Sequence, residues 1–265
     1  MTPNQMSEAA NAFWSAWQLG AAIDHLLPAD RPTTRAEGYA IQAMLEGRSD
    51  KPIAGWKIAA TSAAGQQHIN VSGPLAGRLM AERVHPDGSA FSMKGNRMAV
   101  TEAEFVFRMA RDMPPRAKAY SVEEALAAVG DLCLGIEVPN SRFADFVTAG
   151  EAQIVADNAC AHEFVLGPTV PVTWRDLDLA AHRVHATVTG TARSYQRDGV
   201  GANVLGDPRI ALAWLANELS QLGITLRAGQ IVTTGTCVVP LEIVAGDSVQ
   251  VDFGVLGTVS ARFTA

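Results

Sequence analysis

Three glutamates and one lysine stand inside segments whose neighbours are apolar, and any chemistry in this chain is to be sought among them. Thr101 to Phe107 reads Thr-Glu-Ala-Glu-Phe-Val-Phe. Its β-branched and aromatic content favours a strand, and strand side chains alternate between faces. Glu102 and Glu104 then share one face, while Ala103, Phe105 and Phe107 share the other. Two carboxylates side by side repel unless a cation lies between them or one is protonated. Alone, an edge strand with a wet acidic face would explain them as well. Glu137 is the single acid in Leu-Cys-Leu-Gly-Ile-Glu-Val over 132–138, and Lys57 interrupts Gly55 to Ala60. A charge in such a run calls for a partner or a function, although an edge-strand lysine facing water is the plainer reading of Lys57. Hard oxygen donors without an accompanying histidine suit Mg2+ or Mn2+, not zinc. A site of that kind leaves coordination positions open for water and a chelating substrate.

The elements that must position these residues follow from periodicity. Residues 1–50 read as helical: Ala10, Phe13, Trp14, Trp17 and Ala21 form one stripe, and Tyr39, Ala40, Ala43 and Met44 a second. Thr34-Arg35-Ala36-Glu37 and Ser121-Val122-Glu123-Glu124 have capping-box form, the latter opening a short helix through Val129. Thr61-Ser62-Ala63-Ala64 is a further helix start. Asp207-Pro208, followed by Ile210, Leu212, Leu215, Leu219 and Leu222 and closed by Gly223, defines the clearest helix. Val184, Ala186 and Val188 alternate as a half-exposed strand, and the last forty residues are β-rich. Asp157-Asn158 reads as a turn. The pair His182 and His185, read as having no nearby acidic or cysteine partner, is expected to face solvent rather than bind a metal. A helical N-terminal part followed by scattered strands indicates an α+β fold, with residues 1–50 packed on a β-rich domain over 51–265 as a single structural unit.

Composition narrows the function. With 265 residues the chain can bury a full core. Charged residues are 18% and the net charge is −6, which excludes nucleic acid and anionic membranes as main partners. Cys133, Cys160 and Cys237 stand singly, without zinc or disulfide spacing, as suits a reducing compartment. No bilayer-length apolar run and no export-signal pattern occurs, so a cytoplasmic location is expected. Neither a Gly-rich phosphate loop nor a G-x-S-x-G elbow is present, which removes nucleotide enzymes and the commonest serine hydrolases.

Gly55-Trp56-Lys57-Ile58 with Thr61-Ser62, then Glu102-Ala103-Glu104, then Gly135-Ile136-Glu137-Val138 resembles the fumarylacetoacetate hydrolase superfamily. The closer likeness is to its 2-keto-4-pentenoate hydratase / 4-oxalocrotonate decarboxylase branch. Ser141-Arg142, Ala156-Asp157-Asn158-Ala159, Phe164-Val165-Leu166-Gly167, residues 211–216, Thr234-Gly235-Thr236, Gly246-Asp247 and Leu256-Gly257-Thr258-Val259 continue it in order over nearly the whole chain. The resemblance implies a curled β-roll, homo-oligomers, and Glu102, Glu104 and Glu137 as ligands of a divalent metal. It implies Lys57 as the active-site lysine, Asn158 as a polar pocket residue, and Thr234, Gly235 and Thr236 as a contact for substrate carboxylate, with Ser141 and Arg142 beside them. The substrate it implies is a small 2-oxo or 2-hydroxydienoate acid.

Three departures from the family bear on the reaction. The loop after the lysine segment, Val71 to Gly77, lacks the family's aspartate, to which a proton-handling role is attributed. Asn140 stands where an Asp precedes the Ser-Arg pair, and His162-Glu163 replaces a small, Gly-rich pair. His68 and His162 are the candidates to stand in for the lost acid. The expected activity is hydration of a 2-hydroxy-2,4-dienoate to a 4-hydroxy-2-oxo acid in aromatic catabolism. The competing expectations are a 2-oxo-3-enedioate decarboxylase, a C–C hydrolase, and a non-catalytic metal-binding subunit in complex with a related hydratase or decarboxylase.

Overall fold

The computed structural model describes residues 1–191 and 193–265. Its strands are β1 (Ile53–Ala59), β2 (Leu75–Met80), β3 (Val84–Pro86), β4 (Ala90–Ser92), β5 (Val100–Met109), β6 (Val129–Val138) and β7 (Glu163–Thr169), followed by β8 (Arg183–Thr189), β9 (Ser194–Val200), β10 (Ile231–Thr236), β11 (Leu241–Glu242), β12 (Ser248–Asp252) and β13 (Thr258–Thr264). The helices are α1 (Pro3–Leu19), α2 (Arg35–Ala43), α3 (Ala63–His68), α4 (Val122–Ala127), α5 (Glu151–Ala156) and α6 (Pro208–Gln221). The fold is α+β, helices first and sheets after. One mixed sheet runs β2-β1-β10-β5-β6-β7-β3, with β11 added to β5, and a second runs β4-β13-β12-β8-β9.

The acidic strand β5 lies in the interior of the larger sheet, hydrogen-bonded on both sides, to β10 and β6. Lys57 is likewise on an interior strand, between β10 and β2. Both edge-strand readings are therefore set aside. Alternation along β5 separates two apolar regions. Phe105 and Phe107 enter the main core with Phe13, Trp56, Phe253 and Phe263, while Val106 enters a smaller cluster with Leu79, Cys133, Phe164 and Ile231. Glu102 and Glu104 point to the Val106 side, as the period of two requires.

The helix signals hold with local corrections. Ser121 and Glu124 form a reciprocal capping box on α4, which stops at Ala127 because Val129 already begins β6. Thr34 caps α2, but Glu37 turns to Thr33 and to the N-terminal amino group instead of closing the box. Ala43 is exposed; the buried face of α2 is Tyr39, Ile41 and Gln42, and the Gln42 amide donates to Ala76 O at 2.9 Å and Val155 O at 2.8 Å. Trp17 and Phe13 are buried, whereas Ala21 lies beyond the helix, past the left-handed Gly20. His185 does have an acidic partner, Asp198, 2.6 Å away on the neighbouring strand, and His182 bonds Phe253 O.

Candidate active site

Strands β5 and β6 pair antiparallel with Glu102 directly opposite Glu137, and Glu104 opposite Gly135. One carboxylate oxygen from each of the three glutamates lies within 4.8 Å of the others. Glu104 and Glu137 are fully buried, and Glu102 keeps partial exposure. Glu104 Oε2 accepts from the Gly235 amide at 2.7 Å. Glu104 Oε1 and both Glu137 oxygens receive no hydrogen bond. Lys57, also buried, stands 2.9 Å from Glu137 Oε1 as an ion pair outside hydrogen-bonding angles, and its Nζ donates to Ala159 O at 3.0 Å.

Burial and the neighbouring Glu137 carboxylate push Glu102 up to about 7, against the pull of Lys57. Glu104 is raised well above the usual carboxylate range, first by burial and then by Glu137 and Glu102. For Lys57 burial works against the charge, but Glu137 and Glu102 outweigh it and raise the ammonium to about 12. One lysine faces three acids, and buried carboxylate oxygens without donors are costly. This donor set, all hard oxygens close together, fits a divalent cation of the Mg2+ kind, which Glu102, Glu104 and Glu137 could hold.

Local sequence explains the arrangement. Gly77, opposite Lys57 on β2, leaves room for the lysine stem: a Cβ there would meet Asn158 O at 2.5 Å and Lys57 Cγ at 3.0 Å. Gly235 has φ +93°, and a Cβ would meet Thr61 Oγ1 at 2.2 Å, so only glycine can present its amide to Glu104. Asn158, Ala159 and Cys160 run consecutively left-handed at φ 55°, 50° and 61°. That turn aims the Ala159 carbonyl at Lys57.

The cluster opens into a cavity of about 490 Å³ whose lining includes Lys57, His68, Glu102, Gly235 and Thr236. Other sequence candidates lie elsewhere. The Thr234 hydroxyl is buried and donates to Phe105 O. Asn158 clamps β2, its Oδ1 accepting from Arg78 N at 2.7 Å and its Nδ2 donating to Arg78 O at 2.8 Å. Ser141 Oγ donates to Asp157 at 2.6 Å, and Arg142 is buried against Asp157, Ala161 O and the Trp17 ring. His162 faces a separate cleft and accepts from Trp17 Nε1 at 2.7 Å. These five residues lie outside the cavity lining. Of the loop without an acid, Leu75 to Gly77 is the buried start of β2.

Sequence reading did not find the cavity walls, which include Ile69, Met98, Cys160, Asn203 and Val238. Thr61 and Ser62 were legible as a helix start and as part of the family motif, and Ser62 does cap α3. Nothing in the local pattern marks a left-handed run at three non-glycine residues, so the placement of Cys160 had no signal.

A curled mixed sheet carries clustered carboxylates and a lysine beside one open cavity, the arrangement of an enzyme site for a small polar substrate. Residues 61–264 match the fumarylacetoacetate (FAA) hydrolase C-terminal model, and the chain belongs to that family. A 2-keto-4-pentenoate hydratase of Paraburkholderia xenovorans (strain LB400) is 31% identical over 99% of this chain and 96% of its own. A 4-oxalocrotonate decarboxylase of Pseudomonas putida is 30% identical over 93% of this chain and 92% of its own. The structure of 4-oxalocrotonate decarboxylase from Pseudomonas putida G7, complexed with magnesium and adipate, matches with a TM-score of 0.86 at 26% identity over 99% of this chain and 98% of that one. These relatives are hydratases and decarboxylases, and the chain is a lyase. No helix among the described residues is long and apolar enough to cross a membrane.

Proposed function

We propose that the protein is a Mg2+-dependent hydratase that adds water to a 2-hydroxy-2,4-dienoate and yields a 4-hydroxy-2-oxo acid. The observation that carries this reading is the set of donorless buried carboxylate oxygens on Glu104 and Glu137, clustered with Glu102 and Lys57, which line the cavity. A divalent cation held by the three glutamates would supply Lewis-acid stabilisation of the charge that develops on the substrate's 2-oxygen.

The chain's own groups do the rest. Lys57, paired with Glu137 at the edge of the cluster, is placed to attract the substrate carboxylate or to move a proton. The Gly235 amide fixes Glu104 and thereby the spacing of the cluster. Thr236 is on the cavity wall, but its hydroxyl donates to Val238 O at 2.5 Å and so shapes the wall there. His68 is the lining residue suited to carry a proton between water and the far end of the diene, in place of the absent loop acid. His162, in a different cleft, is not used.

The second reading is decarboxylation of a 2-oxo-3-enedioate, favoured by the decarboxylase relatives, since one electron sink serves both reactions. Incubation with Mg2+ and either 2-hydroxypenta-2,4-dienoate or 4-oxalocrotonate, following dienol absorbance and released CO2, separates them. Loss of dienol absorbance without CO2 supports hydration. CO2 release from the dicarboxylate supports the second reading, and inactivity on both substrates sinks both.

A further inference from the structure

The outer part of the same cavity bears on which dienoate enters, an inference that rests on the 2-oxo acid reading of its floor. Among the described lining residues the groups able to carry positive charge are Lys57 and His68. Lys57 is already engaged with Glu137. Two arginines lie near but are turned away. Arg78 is buried over the Trp56 ring, 4.7 Å from its centroid, and reaches Glu46 and Gln42; Arg142 is locked on Asp157. Thr61, Ser62 and Asn203 add polar groups to the wall, and the rest of it is largely apolar: Ile69, Met98, Pro139, Val238, Val239 and Pro240. Val239 is 66% exposed at the rim, a large apolar side chain left in water.

Size points the same way. Counting each non-hydrogen atom generously at the volume of a water, about 30 Å³, an eight-atom 2-hydroxypenta-2,4-dienoate takes up roughly 240 Å³. That is about half of the 490 Å³ available. A second carboxylate placed against Ile69, Met98, Pro139 and Val238 would face methyl and methylene groups, with no arginine or unengaged lysine in the lining to pair with it, and a charge buried without a partner is disfavoured. An alkyl chain would instead cover Ile69, Met98 and Val239 and gain from leaving water. We infer that this site selects a monocarboxylic 2-hydroxy-2,4-dienoate bearing an apolar substituent of several carbons at its distal end, with Ile69, Met98 and Val239 as specificity-determining residues.

Calorimetric titration of the Mg2+-loaded protein with 2-oxobutanoate, 2-oxohexanoate, 2-oxooctanoate and the dicarboxylate 2-oxoadipate tests this without relying on turnover. Affinity should rise about fourfold per added methylene, as burial of each CH2 implies. 2-Oxoadipate should bind at least tenfold more weakly than 2-oxohexanoate, which has the same chain length. Val239→Lys, at an exposed position that the fold tolerates, should narrow or reverse that ratio. A flat series, or 2-oxoadipate binding as well as 2-oxohexanoate, overturns the apolar-tail inference and leaves the 2-oxo acid reading standing. Absence of binding by every 2-oxo acid overturns both.

Discussion

Glu102 and Glu137 are register partners on adjacent antiparallel strands, two carboxylates placed directly across from each other with Glu104 beside them. Like charges directly opposite destabilise a sheet, so a bound cation should stabilise the fold measurably. At a hundredfold excess over its Kd, Mg2+ should add about 2.7 kcal/mol, or about 5 °C or more in Tm for a chain of this size. Glu104→Gln keeps the acceptor for the Gly235 amide and removes the charge. It should raise the Tm of the metal-free protein, yet weaken metal binding at least tenfold, about 1.4 kcal/mol. Thermal melts with and without Mg2+, together with calorimetry, check both halves. Unchanged metal affinity would remove Glu104 from the ligand set.

Lys57 meets the acids through one ion pair, its ammonium held by Glu137 and by the Ala159 carbonyl. Lys57→Met retains the stem that packs against Gly77 and removes only the charge. Turnover should fall by about 10²–10⁴, the range for loss of a positioned proton-transfer group. Metal affinity should hold or tighten, because a neighbouring positive charge is gone. Steady-state kinetics beside a metal titration checks the pair; a lost metal site with retained turnover would make Lys57 structural.

Asn158 belongs to the frame by its contacts, with both ends of its amide committed to the Arg78 backbone. Asn158→Ala leaves a buried N–H and a buried C=O without partners, each costing about 1–3 kcal/mol. A Tm lower by about 5–10 °C follows for a chain of this length, with metal affinity preserved because the ligands lie on β5 and β6. A variant of full stability with a large loss in kcat/KM would instead return Asn158 to the substrate pocket. The melt and the kinetics together decide.

How much of this was legible in the sequence depended on range. Period-two alternation put Glu102 and Glu104 on one face, because strand geometry is local. The register that sets Glu137 against Glu102 depends on strand pairing, which is not written in either strand. The capping pairs at Ser121/Glu124 and Asp207 were readable for the same local reason, whereas Glu37 was drawn off by the N-terminus, a contact made only in the folded chain. Ser141, Arg142 and His162 look functional by type and lie near the site in sequence, but their hydrogen bonds are spent on Asp157 and Trp17. The apolar cavity wall, assembled from α3, the stretch before β5 and the segment after β10, has no continuous sequence to read.

The cleft behind the site carries a pH dependence of its own. His162 Nδ1 accepts from Trp17 Nε1, so the neutral ring is required there. Burial, with Arg142, Arg83 and Arg97 nearby, lowers its pKa to about 4 despite the adjoining Glu163 carboxylate. In an unfolded chain the same ring titrates at about 6.5. Between those values the unfolded state binds the extra proton, so stability falls as pH drops below about 6.5 and levels out below about 4. This group is fully favourable above that window. Its loss amounts to about 2 kcal/mol by pH 4.5. Glu163, held low by His85 and Arg83 against its burial, adds to the acid loss at lower pH. His162→Gln preserves an acceptor for Trp17 and has nothing to protonate. Urea unfolding at pH 7, 5.5 and 4.5 should show the variant near the parent at pH 7 and more stable than it by about 2 kcal/mol at pH 4.5. Parallel pH profiles for the two proteins would mean that the ring is not held neutral in the fold.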